Sequence, residues 1–169
     1  MAMDLHRLLY GVIGGINGAA CMSVLRLLAR RAGIIDEPVP HVVEAWAADR
    51  LGWSSVSGRL GHHATQEILH LGVGAAGGVL YSVLGEAGRK AAVPSGAALG
   101  VAVWGLAFSV AAPLLGITRP AWRRPAAENG VNLAAHLAYG LVTALMAREL
   151  SSEPPRPRPV PVRYAVRVG

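Results

Sequence analysis

The sequence is poor in charged and aromatic side chains for its 169 residues: 15% are charged, 5% are aromatic and there is a single Phe. Soluble domains carry about 25% charged residues, so this composition and the mean hydropathy of +0.40 indicate a polytopic membrane protein. The single cysteine, Cys21, excludes an internal disulfide. Hydrolase, nucleotide-binding and redox motifs are also missing. We therefore expect one non-enzymatic domain.

Lysine is nearly absent: Lys90 stands beside 15 arginines, and the net charge is +6. Most arginines flank apolar stretches, where they suit contacts with lipid headgroups. We therefore expect membrane lipids, and no nucleic acid, as partners. The basic residues divide into eight on each side of the predicted membrane, so the positive-inside rule gives no orientation.

Four apolar stretches are long enough to cross ~30 Å of hydrocarbon. They cover about residues 8–28, 68–84, 93–117 and 131–147. The second and fourth are close to the lower limit of about 17 residues, and earlier starts at Thr65 and Asn129 are open. Arg26 lies near the end of the first stretch, where its side chain can snorkel to the surface. We predict an all-α, four-span membrane domain over residues 1–150.

The segment of residues 38–53 has a different pattern. A helix-start signal, Asp36-Glu37-Pro38, precedes apolar residues on one side of a helix. Trp46 and Trp53 favour the headgroup level. We predict an interfacial amphipathic helix here. The alternative is a small extramembrane cap packed on the helix ends.

Residues 151–169 form a tail rich in proline and arginine, which favours extended polyproline conformation. Such a segment cannot build a core, so we expect it to contact a partner protein or an anionic surface. The arginines that would make this contact are Arg156, Arg158, Arg163 and Arg167.

Small residues recur four positions apart in the apolar stretches. The pairs are Gly11 with Gly15, Gly14 with Gly18, Gly74 with Gly78, Gly96 with Gly100, and Gly140 with Ala144. In lipid, close backbone approach at such positions drives helix packing. Two interpretations follow: the pairs hold this bundle together, or one small-residue face docks another membrane subunit.

The motif His70-Leu71-x-x-Gly74 recurs as His136-Leu137-x-x-Gly140. We call these two copies the repeated phrase. Each copy follows an apolar helix that ends in Gly-Ile, at Gly33-Ile34 and Gly116-Ile117, and a loop that contains proline. This order predicts two helical hairpins that begin on the same membrane side. They would form a parallel repeat about an axis along the membrane normal.

A longer pattern runs through both hairpins: Gly14-Gly15-x-x-Gly18-Ala19-Ala20-x-Met22, then Ala29-Arg30-Arg31-Ala32-Gly33, then the two His-Leu-x-x-Gly helices. It resembles YagU-like bacterial inner-membrane proteins, a family of unknown function, over about Leu8 to Glu149. The resemblance implies a multi-pass protein of the bacterial inner membrane. It supplies no active-site residues.

His70 and His136 are expected at similar depth, where they could ligate haem or a chlorophyll-type pigment. Gly74 and Gly140, one turn away, would leave room for a macrocycle, but few aromatic residues are present to line such a pocket. The favoured interpretation is that both histidines form hydrogen bonds across helices.

His63, Glu67 and His70 fall on one helix face and could bind a single transition-metal ion. A di-iron site is excluded because the second hairpin has Leu133 where the first has Glu67. A transporter is a further option, but the apolar stretches hold almost no ionisable residue and no pair of proline-broken helices.

From these patterns we expect an accessory or scaffold subunit of a larger bacterial membrane complex, with other membrane-protein subunits as partners. The alternatives are a cofactor-binding subunit that uses His70 and His136, and a small oligomeric channel or transporter.

Overall fold

A computed structural model describes residues 5–35, 46, 59–84 and 91–152. This part of the chain contains no strand and four helices that are each long and apolar enough to span a membrane. They are α1 (Leu5–Arg31), α2 (Arg59–Leu84), α3 (Ala92–Leu114) and α4 (Ala126–Ser151). The prediction of an all-α protein with four membrane-spanning helices is confirmed.

Two helices begin well before their apolar runs. We predicted starts at residues 68 and 131, whereas α2 begins at Arg59 and α4 at Ala126, and each has 26 residues. At 1.5 Å per residue, each is about 39 Å long, which exceeds the ~30 Å of hydrocarbon. Their first turns are polar, so hydropathy alone could not locate the starts. The side chains of α2 are described from Ala64 onward.

The second half of α3 departs from α-helical geometry, which the sequence analysis did not predict. Trp104–Ala111 forms a π-helix, in which the amide of Ala112 donates to the carbonyl of Ala107. Pro113 explains the change. It has no N–H to donate to Ser109, and its ring would collide with that carbonyl in a regular α-helix. Pro113 distorts one helix, so a pair of broken helices is still not seen among the described spans.

The first helix of each hairpin ends in the same way. Gly33 has φ 69° and Gly116 has φ 70°, a left-handed conformation that glycine adopts without steric cost. Two hydrogen bonds close each end as a Schellman motif. They are Ile34 N–H to Ala29 O and Gly33 N–H to Arg30 O in α1, and Ile117 N–H to Ala112 O and Gly116 N–H to Pro113 O in α3.

Helices α1 and α4 lie at the centre of the bundle, with α2 packed on α1 and α3 packed on α4. Neighbouring helices in this row are antiparallel. Small buried residues and two tyrosines fill the centre in two clusters. One contains Ala19, Met22, Ala135 and Tyr139, and the other Tyr81, Ala92, Ala144 and Ala147.

Glycines bring the helix backbones into contact at three interfaces. Gly11 and Gly15 of α1 face Gly78 and Gly74 of α2, and Gly96 and Gly100 face the Gly140 region of α4. On the other side of α1, Gly14 and Gly18 face Thr143 and Tyr139. All of these glycines contact helices of the same chain, as the first of our two interpretations expects.

Of the segment of residues 38–53, the structure describes only Trp46. Its indole N–H donates a hydrogen bond of 3.0 Å to the carbonyl of Leu115, just after α3. This contact is of the kind that the cap alternative expects, since it joins the segment to a helix end. Trp53 and the tail arginines Arg156, Arg158, Arg163 and Arg167 lie outside the described residues, as does the side chain of His63.

Candidate functional site: a buried polar cluster

Seven polar side chains from three helices lie at one end of the bundle and extend toward its middle. We call them the polar cluster: Ser23 and Arg26 of α1, Gln66, Glu67 and His70 of α2, and Asn132 and His136 of α4. Four of them are almost fully buried, namely Arg26, Gln66, Asn132 and His136, whereas Glu67 is exposed. Buried ionisable residues in membrane-spanning helices often mark functional sites.

The two histidines lie at similar depth, as the repeated phrase predicted. His70 is 11 residues after the start of α2, and His136 is 10 residues after the start of α4. At 1.5 Å per residue, these positions are about 15–17 Å along their helices. Both imidazoles therefore lie well inside helices that are long and apolar enough to span a membrane.

The prediction that Arg26 snorkels to the surface is wrong. Its side chain is only 6% exposed, and its Nε atom has no hydrogen-bond partner among the described residues. The oppositely charged Glu67 lies within its electrostatic range, as do His70 and His136. Because an arginine side chain points back along its helix, Arg26 reaches into the bundle from a position near the end of α1.

Hydrogen bonds join α1 to α2 within the polar cluster. The hydroxyl of Ser23 donates to the Glu67 carboxylate, with distances of 3.0 and 3.3 Å to the two oxygens. One turn deeper, the His70 ring faces the backbone of Ala19. Ser23 and Ala19 are four residues apart on α1, and Glu67 and His70 are three apart on α2, so both contacts belong to one antiparallel register.

On α4, the His136 side chain contacts the backbone of its own helix and a side chain of α3. Its Nδ1 lies 2.7 Å from the carbonyl oxygen of Asn132. The ring meets Phe108 edge to face, with centroids 6.0 Å apart. Phe108 belongs to the π-helical part of α3, so the distortion caused by Pro113 occurs where α3 touches the polar cluster.

Arg124 lies in the connection between α3 and α4, at the end of the bundle, and contacts the same Phe108 ring. Its guanidinium lies 4.1 Å from the centroid of the Phe108 ring and pairs with Glu128 at 2.9 Å. Its Nε also donates to the carbonyl of Arg119 at 2.8 Å. Burial lowers the pKa of Arg124, and the Glu128 carboxylate partly opposes that shift.

When the two hairpins are aligned by their glycine contacts, the two copies of the repeated phrase do not coincide. A Cβ added to Gly15 would lie 2.9 Å from the carbonyl carbon of Gly74, and one added to Gly100 would lie 2.9 Å from that of His136. Gly74 and His136 therefore occupy equivalent positions: Gly74 is where α2 contacts α1, and His136 is where α4 contacts α3. The residue equivalent to His70 is Asn132, one turn earlier, so the two histidines do not occupy matching positions.

The space that we expected to admit a macrocycle is occupied by neighbouring helices. A Cβ added to Gly74 would lie 2.6 Å from Cβ of Ala19, and one added to Gly140 would lie 3.0 Å from Cα of Gly100. The guanidinium of Arg26 also disfavours a metal cation beside either histidine. These contacts weigh against haem or pigment ligation by His70 and His136.

No group of three metal-ligating side chains occurs within the described ranges. This does not test the proposed trio of His63, Glu67 and His70, because the side chain of His63 lies outside them. The Glu67 carboxylate is already an acceptor for Ser23. The metal site stays a prediction.

Sequence reasoning missed Ser23, Gln66 and Asn132 of the polar cluster, and Phe108 and Arg124 beside it. Asn132 and Arg26 carried a signal, since each is a polar residue inside or near an apolar stretch. Phe108 carried none, because its position depends on the π-helix.

Comparison of the chain with protein-family models, with curated proteins and with solved structures gives no match. The resemblance to YagU-like proteins therefore stays an expectation drawn from the residues alone.

Proposed function

We propose that this integral membrane protein is a non-enzymatic accessory or scaffold subunit of a larger membrane complex in the bacterial inner membrane. The observation that supports this function best is the closure of the bundle interior. At the interfaces of α1 with α2, α1 with α4 and α3 with α4, glycines place backbone against backbone.

Because the helix backbones are in contact at the glycine faces, a macrocycle has no room there. Side chains fill the centre of the four helices. Ala19, Ala135 and Ala144 are each 0% exposed. A protein that moves a solute through its own centre needs a polar path along its length. A rigid, closed bundle suits a subunit that acts through its outer surface and its termini.

The outer surface is apolar, as a lipid-facing or subunit-facing surface must be. Along the second half of α3, Leu106, Val110 and Leu114 point outward at four-residue spacing, and Leu114 is 82% exposed. The tail beyond Ser152 carries Arg156, Arg158, Arg163 and Arg167. In this proposal, the tail lies along a partner subunit and the apolar surface contacts lipid or the partner's helices.

The test is the native size of the protein in its own membrane. Membranes are solubilised in mild detergent and the full chain is compared with a chain that ends at Ser152. We expect the full chain to migrate with a defined larger species, and the shortened chain to leave that species while keeping its helical circular dichroism. If the full chain migrates alone and its tail is cleaved readily by protease, the proposal is wrong.

A small oligomeric channel or transporter is the second candidate, and the polar cluster is the observation that favours it. Purified protein in proteoliposomes would then show solute flux without any partner. Flux that is lost in Arg26→Gln but kept in the distant variant Tyr10→Phe would support this alternative over the scaffold.

A further inference from the structure

Asn17 places a polar side chain on the otherwise apolar outer surface of α1. It lies 12 residues after Leu5 and 14 residues before Arg31, so it is about 18 Å and 21 Å from the two ends of the helix. Of the four carboxamide side chains in the described part of the chain, Asn17 alone is exposed. Polar side chains in membrane spans usually face the interior of a bundle, so its position needs an explanation.

The Asn17 amide keeps hydrogen-bonding capacity that the bundle does not use. Its Nδ2 donates to the carbonyl of Ile13, one turn earlier, at 2.8 Å. A carboxamide has two N–H donors and an oxygen with two lone pairs. Among the described residues this one bond leaves a second N–H and Oδ1 without a partner. Hydrocarbon can bind neither, and an unpaired polar group in an apolar medium is costly.

The fold of a hairpin does not need an amide at this place. Gly15 of α1 and Gly100 of α3 make equivalent helix contacts, so the position equivalent to Asn17 is Ala102. Ala102 is also exposed. The same outward position is polar in one hairpin and apolar in the other, so Asn17 serves a contact outside the bundle.

The outward residues around Asn17 have the spacing of a coiled-coil seam. We call them the α1 seam: Ile13, Asn17, Ala20, Val24 and Leu27. All of them are exposed except Ile13, which is half-buried. Steps of four and three residues alternate along the seam, which puts Asn17 and Val24 at heptad position a and Leu27 at position d. A β-branched residue at a and leucine at d favour two parallel helices, and a single asparagine at a fixes their register.

A second copy of this chain is the partner that matches the α1 seam. Two copies inserted in the same orientation are related by a twofold axis along the membrane normal, which brings each seam residue opposite the same residue of the other copy. Asn17 then meets Asn17 at the same depth. Because a carboxamide both donates and accepts, this pair is complementary to itself.

We propose that the α1 seam is the interface of a parallel homodimer, in which each Asn17 amide donates to Oδ1 of the other. The bundle can pair in this way without opening, since α2 and α4 contact other faces of α1 through Gly15 and Gly14. The dimer goes beyond the proposed scaffold function and does not depend on it, because the C-terminal tail contributes nothing to the seam.

The test counts copies of the purified full-length protein in liposomes, with one fluorophore at each N-terminus and with photobleaching steps as the readout. We expect two steps for the wild-type protein. Asn17→Leu has nearly the same size but no hydrogen-bonding group, and it should need at least a tenfold higher protein density to reach two steps. Asn17→Gln keeps a donor and an acceptor and should keep the dimer.

Ala102→Leu is the matched control, because it introduces the same leucine at the equivalent position of α3, and it should leave two steps. One step for the wild-type protein at every density would overturn the proposal and would point to a partner of different sequence. More than two steps, or equal losses in Asn17→Leu and Ala102→Leu, would also overturn it.

Cross-linking tests the same interface without changing Asn17, so it decides the question even if Asn17→Leu does not fold. In a Cys21→Ser background, Ala20→Cys places one thiol on the α1 seam, where it meets its own copy. Ala102→Cys places one on the outer surface of α3. A short bis-maleimide should link the Ala20→Cys copies at least tenfold faster, and equal rates would contradict the interface.

Discussion

The hairpin of α1 and α2 and the hairpin of α3 and α4 are closed by the same glycine geometry but differ in where their polar side chains point. A Cβ added to Gly78 would lie 3.0 Å from Cα of Gly15, and one added to Gly140 would lie 3.0 Å from Cα of Gly100. In the first hairpin, however, Glu67 accepts a hydrogen bond from Ser23 of α1, and His70 faces the backbone of Ala19. In the second, His136 bonds within α4 and contacts Phe108.

The helix contacts and the polar chemistry of the two hairpins are therefore separate features. Backbone contact needs glycine at matching positions in each interface. The polar side chains are placed by each helix's own neighbours, and these differ because Arg26 lies in the first hairpin and the π-helix lies in the second.

The largest expected effect comes from filling a glycine contact. Gly15→Ala and Gly100→Ala each place a methyl group against a backbone that cannot move aside, so each should destabilise the bundle by about 1–3 kcal/mol. Because the added Cβ meets a carbonyl carbon at 2.9 Å in both cases, the two losses should be similar. Reversible unfolding in mixed micelles measures them.

Gly72→Ala is the matched control, because nothing lies within 4 Å of a Cβ at Gly72. Alanine is the better helix former by up to about 1 kcal/mol, so this variant should be neutral or slightly stabilising. Equal losses at Gly15 and Gly72 would show that backbone contact is not what holds the first hairpin.

An intermediate effect is expected at Arg124, which belongs to the second hairpin alone. Arg124→Met removes the guanidinium from the Phe108 ring and from Glu128, and should cost about 1–2 kcal/mol. Arg124→Lys keeps the charge but loses the planar stacking group, so it should recover only part of the loss. Full recovery with lysine would show that charge, rather than stacking on Phe108, matters here.

The smallest effect concerns the contact between the two hairpins. The hydroxyl of Tyr139 on α4 donates to the carbonyl of Gly74 on α2 at 2.8 Å. Tyr139→Phe removes this bond and keeps the ring, so it should cost about 0.6 kcal/mol, the average for such bonds in membranes. A loss as large as that of Gly15→Ala would mean that polar contacts, rather than glycine packing, join the hairpins.

An absorption spectrum sharpens the comparison of the two histidines. Since neighbouring backbones fill the spaces beside Gly74 and Gly140, we expect the purified protein to show no Soret or pigment band. A band that disappears in His70→Ala or His136→Ala would restore the cofactor-binding alternative.

The parts of the fold that depend on local chemistry could be predicted from the sequence. The four spans follow from apolar length, and the ends of α1 and α3 follow from Gly33 and Gly116. The glycine positions that make helix contacts were also visible. What could not be predicted is which helix each glycine meets, because spacing defines a face and not its partner.

The candidate site was harder to predict, for three physical reasons. A position near a helix end is compatible with either a snorkelling or a buried Arg26. A shift of one turn leaves a residue on the same helix face, so the repeated phrase did not reveal that Asn132 is the equivalent of His70. The contact of Phe108 with His136 depends on the π-helix at Trp104–Ala111.

The central claim is the register of α1 against α2, which brings Ser23 beside Glu67 and Arg26 into the bundle. Cross-linking in native membranes tests it most directly, with Ser23→Cys and Glu67→Cys in a Cys21→Ser background and with a short bis-maleimide. We predict rapid cross-linking of this pair, because the Ser23 hydroxyl reaches the Glu67 carboxylate at 3.0 Å and the linker replaces the length of the glutamate side chain. The pair of Ser23→Cys with Ile68→Cys should remain unlinked, since Ile68 is exposed on the next position of α2. Cross-linking of the Ile68 pair without the Glu67 pair would contradict the register and, with it, the polar cluster.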